Sequence, residues 1–296
     1  MNYLRTATLA TALVAATMLG GHSALAQTNM VGSFGPNVVR DDVKDVILED
    51  AAWNLGMLRE ANFNYNRLTF VEYTGHGTLL DLEKGAAAPA EISRFTMTIG
   101  LAYPAARYDF EGPGTERTIR AFNADRVWDE GPEPGFNPDY VDEAVLPLRR
   151  GLVFLWPHMF TRAAAYAKVG RCIDGKTCEV PVSVTELPDG KAEVKVTVYG
   201  TEYTGILSAQ RYYETISATL KMPDGSDKPL TAEFTTFRDG QIGVNLENPM
   251  DKFYTGVYFP ETFAIKSGDE VVLELTPTEA WANPFAIFPG PDDAAG

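Results

Sequence analysis

The stretch KAEVKVTV, residues 191–198, decides the fold: Ala192, Val194, Val196 and Val198 alternate with Glu193, Lys195 and Thr197. A period of two places one set on a dry face and the other on a wet or ligand-facing one, as in a half-buried antiparallel strand. The pattern repeats downstream. Ile216, Ala218, Leu220 and Met222 alternate with polar neighbours, and so do Leu230, Ala232 and Phe234. Between these runs stand PDG at 188–190, PDG at 223–225, RDG at 238–240 and SGD at 267–269. Proline presets φ and glycine supplies φ > 0, so each tripeptide reads as a turn. Upstream, 67–82 reads as a strand, 93–112 as one or two more, and 117–130 as a hairpin around Asn123-Ala124-Asp125. The expected fold is α+β: a long curled antiparallel sheet of about ten or eleven strands, an incomplete β-barrel, with an N-terminal helix and a central helical lid.

Two segments break the alternation. In 41–60, Val43, Val46, Ile47, Ala51, Leu55 and Leu58 recur at helical spacing, with Asp41 or Asp42 as cap and an end expected near Arg59. Residues 139–168 read as helix interrupted near Pro147 and Pro157. Their second half, GLVFLWPHMFTRAAAYAK at 151–168, sets Phe154, Leu155, Trp156, Met159 and Phe160 around one histidine, either as buried core or as a lid over the barrel mouth.

Residues 1–26 carry Arg5, an apolar run and Ala24-Leu25-Ala26, the pattern of a secretory signal peptide. Loss of Arg5 with it moves the formal charge from −15 to −16, since the segment holds no acid. That balance argues against nucleic acid, whose phosphates need a basic face. No later apolar run is long enough to predict a membrane span. The expectation is a periplasmic or secreted protein, soluble after cleavage. Its parts are an arm at 27–40, one half-barrel domain at 41–288 and a disordered tail at 289–296. In RCIDGKTCEV, 171–180, a three-residue turn at Asp174–Lys176 sets Cys172 opposite Cys178, which suits a cross-strand disulfide.

With helix 41–59, the runs FTMTIGLAYPAARYDFEG at 95–112 and RAFNADRVWDE at 120–130, and the meander from Tyr258 to Pro291, the chain resembles the bacterial periplasmic lipoprotein-localisation (LolA/LolB-like) half-barrel family. The resemblance implies a strand presenting a basic or aromatic residue before a hairpin that ends in an exposed tryptophan, here Trp128. It also implies a concave face that binds something apolar.

Candidate chemistry is sparse. His76 lies between Gly75 and Gly77, either on a strand bend or as a cavity-lining general base. His158 is either a satisfied core group or the ionisable member of an apolar cavity wall. Arg107 and the pair Arg149 and Arg150 can anchor a carboxylate or phosphate head group, or form solvated ion pairs. Phe154, Trp156, Met159, Phe160, Trp128 and Tyr108 are the candidate ligand-binding residues. No metal site, cofactor or nucleotide loop is expected, because His-x-x-x-His, G-x-S-x-G and Walker patterns are all missing. Two functions follow. The first is a carrier or sensor of a lipid or other hydrophobic ligand. The second is a cofactor-independent lyase, isomerase or hydrolase acting on an aromatic or amphipathic molecule, with His158, His76 and Arg107 in catalytic roles. An envelope protein partner is the further alternative, marked by an exposed apolar patch.

Overall fold

Along the chain the first segment is helix α1 (Val43–Asn54), followed by strands β1 (Phe70–Leu79), β2 (Ala90–Gly100), β3 (Ala105–Glu111), β4 (Thr118–Asn123), β5 (Arg126–Glu130) and β6 (Pro138–Tyr140). Helices α2 (Leu146–Val153) and α3 (Pro157–Lys168) come next. The second half holds β7 (Ser183–Glu186), β8 (Ala192–Val198), β9 (Thr201–Leu207), β10 (Tyr213–Lys221), β11 (Asp227–Phe234), β12 (Phe237–Gln241), β13 (Tyr254–Pro260), β14 (Phe263–Ser267) and β15 (Glu270–Ala282). This computed structural model describes residues 43–57, 68–113, 117–131, 138–168, 170, 173, 182–241 and 254–284. The expectations for 1–26, 27–40 and 289–296, the caps at Asp41 and Asp42, and the pairing of Cys172 with Cys178 lie outside the described residues.

Thirteen strands form one antiparallel sheet in the order β6-β5-β4-β3-β2-β1-β15-β14-β11-β10-β9-β8-β7, and β12 pairs with β13 as a separate ribbon. The first strand and the last are therefore neighbours at the centre, and the chain crosses from one outer edge, β6, to the other, β7. Helices α2 and α3 make that crossing. Helix α2 packs on β3 and β4 of one flank and on β10 of the other. In a flat sheet the six inter-strand steps from β3 to β10 would span about 29 Å, far more than a helix about 10–12 Å wide can bridge. The sheet therefore curls around the helix, and the fold is an open half-barrel with its core on the concave side.

The β12–β13 ribbon and the two short edge strands account for the excess over the ten or eleven strands expected. Strands β6 and β7 have 3 and 4 residues, too few for alternation to register. The expected helix over 139–168 resolves into an edge strand, a single turn of 3-10 helix at Glu143–Val145, and two helices. Pro147 lies in the first turn of α2 and Pro157 opens α3, positions whose amide is not needed by the helix, so these prolines start helices rather than interrupt one. Helix α1 ends at Asn54, earlier than Arg59, where Gly56 turns the chain at φ 78°.

Helix α3 is the centre of the core. All its residues are buried except Tyr166 and Lys168. Gly205 of β9 makes room for it: a Cβ there would lie 2.7 Å from the Phe160 ring. Glycine also shapes the central seam. A Cβ on Gly75 would meet the Thr276 carbonyl at 2.2 Å and one on Gly77 the Glu274 carbonyl at 1.8 Å, and the β1 register shifts at these residues. The glycines flanking His76 thus mark a bulge where β1 and β15 approach closely.

Candidate ligand cavity

Residues directly opposed in an antiparallel pair share a face, so register sorts the candidates. Tyr108 opposes Arg120, and Arg120 opposes Asp129. These three point to the concave side. Arg107 opposes Ala121, which opposes Trp128, and this trio points to the convex side. Trp128 is 1% exposed rather than solvent-facing as the resemblance implied. Its indole Nε1 donates to Glu130 at 3.4 Å, and Arg107 Nε donates to the same carboxylate at 3.0 Å. Beside them Asp109, also buried, receives Arg117 at 2.6 and 2.9 Å. Burial alone would raise the Asp109 carboxyl, but Arg117, Arg107 and Arg94 hold it below the usual range. Arg107 and Trp128 belong to this convex cluster and do not face the cavity.

The two histidines lie on opposite faces of β1 and its surroundings. His76 is exposed on the convex side. His158 is fully buried, with Nε2 3.0 Å from the Leu55 carbonyl and Nδ1 2.5 Å from the Tyr73 hydroxyl. A carbonyl only accepts, so Nε2 carries the proton and Nδ1 accepts from Tyr73. Burial lowers the imidazole to about pKa 4, against a smaller upward pull from Leu55, and burial also pushes the Tyr73 phenol well up. Both ring nitrogens are thus occupied in tying α3 to α1 and β1. Met159 and Phe160 are likewise core, and Phe154 packs on Tyr203 at 5.5 Å between ring centroids.

An apolar cavity of about 60 Å³ lies between α2 and the concave sheet. Of the expected ligand-binding residues, Trp156 and Tyr108 line it. Trp156 is fixed by stacking on Phe263 at 4.1 Å and by Tyr73 at 4.5 Å. Tyr108 donates to the Arg149 carbonyl at 3.0 Å, which holds the middle of α2 to β3. Phe95 and Met97 of β2, Leu148 and Leu152 of α2, and Leu273 and Leu275 of β15 complete the walls. The turn after β1 adds Leu80, Leu82 and Glu83, and Leu79, Phe110, Arg120 and Arg149 are also among the lining residues.

At one end of the cavity stands a buried charge cluster. Arg149, 1% exposed, donates to both oxygens of Glu83 at 2.8 and 2.7 Å, to Asp129 at 2.6 Å and to the Trp128 carbonyl at 2.8 Å. Arg120, 6% exposed, donates to both oxygens of Asp81 at 3.0 and 2.6 Å. Its Nε lies 3.4 Å from Glu83 and makes no hydrogen bond. Burial alone would raise the Asp81 carboxyl and lower Arg120. Their mutual contact reverses both, leaving Asp81 below and Arg120 above its ordinary value. Arg149 is therefore a buried clamp, not a solvated pair. Arg150 does form a solvated pair, donating to the exposed Asp125 at 3.0 Å while lying over the Tyr199 ring at 3.7 Å. Sequence reasoning missed Asp81, Glu83, Arg120 and Asp129. The signal available was Arg120 itself, a charge in TIRAFN flanked by Ile119, Ala121 and Phe122, with polar residues only at the two ends of the strand.

Among the described residues no group of His, Cys, Asp and Glu is placed to hold a metal ion, and no helix is long and apolar enough to cross a membrane. No protein-family model matches the chain, and no curated protein matches it. Among solved structures, the lipoprotein LppX of Mycobacterium tuberculosis is similar over 82% of this chain and 99% of its own, at 12% identity and a TM-score of 0.27.

Proposed function

We propose that this chain is an extracytoplasmic carrier or sensor of a hydrophobic ligand, a lipid or other apolar molecule, held on the concave side of the half-barrel. The observation that supports this reading is the cavity's composition: aromatic and aliphatic walls from the sheet and α2, with charge confined to one end. His158 and His76 do not converge there, so no specific observation favours the enzyme reading. The cavity of about 60 Å³ has room for about two water molecules, against roughly 300–1,000 Å³ for a pocket that encloses a small ligand. On this reading uptake displaces part of a wall. Native mass spectrometry of the protein as purified, with extraction and identification of released molecules, tests it. Titration with a neutral solvatochromic dye tests it independently. A co-purifying apolar molecule, or saturable dye binding that Trp156→Ala alters, is the expected result; an empty protein that takes up no dye refutes the reading.

A further inference from the structure

The turn between β1 and β2, residues 80–89, separates the apolar cavity from two open clefts. Leu80, Leu82 and Glu83 line the apolar cavity on one side and a cleft of about 560 Å³ on the other. Leu79 and Arg120 are likewise shared between the apolar cavity and a polar cleft of about 360 Å³, which Asp81 and Lys84 border. Outward movement of this turn would join the three spaces.

What holds the turn down is charge. Asp81 grips Arg120 of β4 with two hydrogen bonds, and Glu83 grips Arg149 of α2 with two more. Its own backbone is tied by one bond to the neighbouring strand, from Leu80 to the Val272 carbonyl at 2.7 Å. With the turn in place, Arg120 and Arg149 meet three carboxylates, Asp81, Glu83 and Asp129. With Asp81 and Glu83 withdrawn they keep only Asp129, on β5. Two guanidinium groups against one carboxylate leave an uncompensated charge beside apolar walls, which is unfavourable. The open state is stable only if something brings an anion. Arg120 Nε, buried and without a hydrogen bond even in the closed state, is a donor already placed for it.

We propose that the 80–89 turn is a charge-latched gate, and that the ligand is an amphiphile with an anionic head, carboxylate or phosphate, and an apolar chain. The head replaces Asp81 and Glu83 on Arg120 and Arg149, and the chain enters the cavity vacated by Leu80 and Leu82. This inference rests on the reading of the protein as a carrier of apolar ligands and names the class of head group.

The test uses the purified full chain and three probes of equal chain length, palmitate, hexadecyl phosphate and 1-hexadecanol, the first two below their micellar concentrations and the alcohol below its solubility limit. Binding is read by displacement of a neutral solvatochromic dye. At least one anionic probe is expected to bind about tenfold tighter than the alcohol, the size of one charge-assisted hydrogen bond. The tighter of the two distinguishes a carboxylate head from a phosphate head. Arg120→Gln should abolish the preference. Glu83→Gln should tighten the anionic probe by about the same factor, because it removes the internal competitor. A damaged fold weakens all binding, so the tightening separates a latch from mere disruption. Equal binding of alcohol and anions, or a Glu83→Gln variant that binds the anion no tighter, overturns the anionic-head gate while leaving the carrier reading intact. Failure of the dye and all three probes to bind refutes the carrier reading itself.

Discussion

Acidification from pH 7 to 4.5 should destabilise the protein through one residue, His158. Its imidazole sits at about pKa 4 in the folded chain, against an ordinary 6.5, because burial disfavours the cation. A depressed histidine means that the unfolded chain takes up the proton first as pH falls. The stability it contributes is therefore full above about pH 6.5 and is lost on the way down to about 4. Integrated over that window, the loss relative to pH 7 is about 1 kcal/mol at pH 5.5 and about 2 kcal/mol at pH 4.5. Asp81 and Asp109, both held low by arginines, lose their contributions only below about pH 3.9, outside this window. Urea unfolding followed by tryptophan fluorescence at pH 7, 5.5 and 4.5 gives the three free energies. His158→Gln keeps a donor for Leu55 and an acceptor for Tyr73 but does not titrate. Its stability should change by less than about 0.5 kcal/mol over the same range. Parallel losses in the wild type and the variant would refute the assignment of the pH dependence to His158.

Three further perturbations address the core and the seam. Trp156→Ala should cost about 3–5 kcal/mol in urea unfolding, since it removes a ring stacked on both Phe263 and Tyr73, and it should enlarge the cavity enough to raise neutral-dye uptake. Gly75→Ala should cost about 3 kcal/mol or prevent folding, because its Cβ would collide with the Thr276 carbonyl across the seam, whereas Gly85→Ala, with open space at that point, should cost about 1 kcal/mol through its positive φ alone. Arg149→Met should cost about 3 kcal/mol, since Glu83 then keeps only Arg120 at 3.4 Å and the partly exposed Asp129 loses its cation, a loss measurable as a shift in the urea midpoint at constant slope.

The strands were legible where one face is dry and the other wet. Val194, Val196 and Val198 are buried and their neighbours are not, so the alternation in the sequence is the burial pattern itself. Alternation fails where both faces are covered. In β4, Ile119, Arg120, Ala121 and Phe122 are all buried, so the strand gives no indication of which side faces the cavity. That is why Arg107, convex, and Arg120, concave, were not distinguishable by pattern. The apolar run around His158 was read as core or lid, and the structure places that histidine in the core, bonded to Leu55 and Tyr73. The clamp was invisible for a different reason. Arg149 and Glu83 are 66 positions apart, and Glu83 opens EKGAAAPAEI, a run of small residues with neither strand nor helix periodicity. Neither partner carries a local signal that the other exists, because a buried ion pair is a property of the closed topology rather than of either segment.

The adjacency of β1 and β15 at the middle of the sheet imposes an order on events during synthesis. Six strands precede the helical crossing, yet the innermost of them, β1, has its second neighbour in residues 270–282. Until that last described strand leaves the ribosome, one long edge of the amino-terminal half stays unpaired and the cavity lacks the wall formed by Leu273 and Leu275. Contacts so distant in sequence make the search for the native state slow. Cooperative folding therefore waits for residues 270–282, and a nascent chain stalled before residue 270 would remain sensitive to proteases.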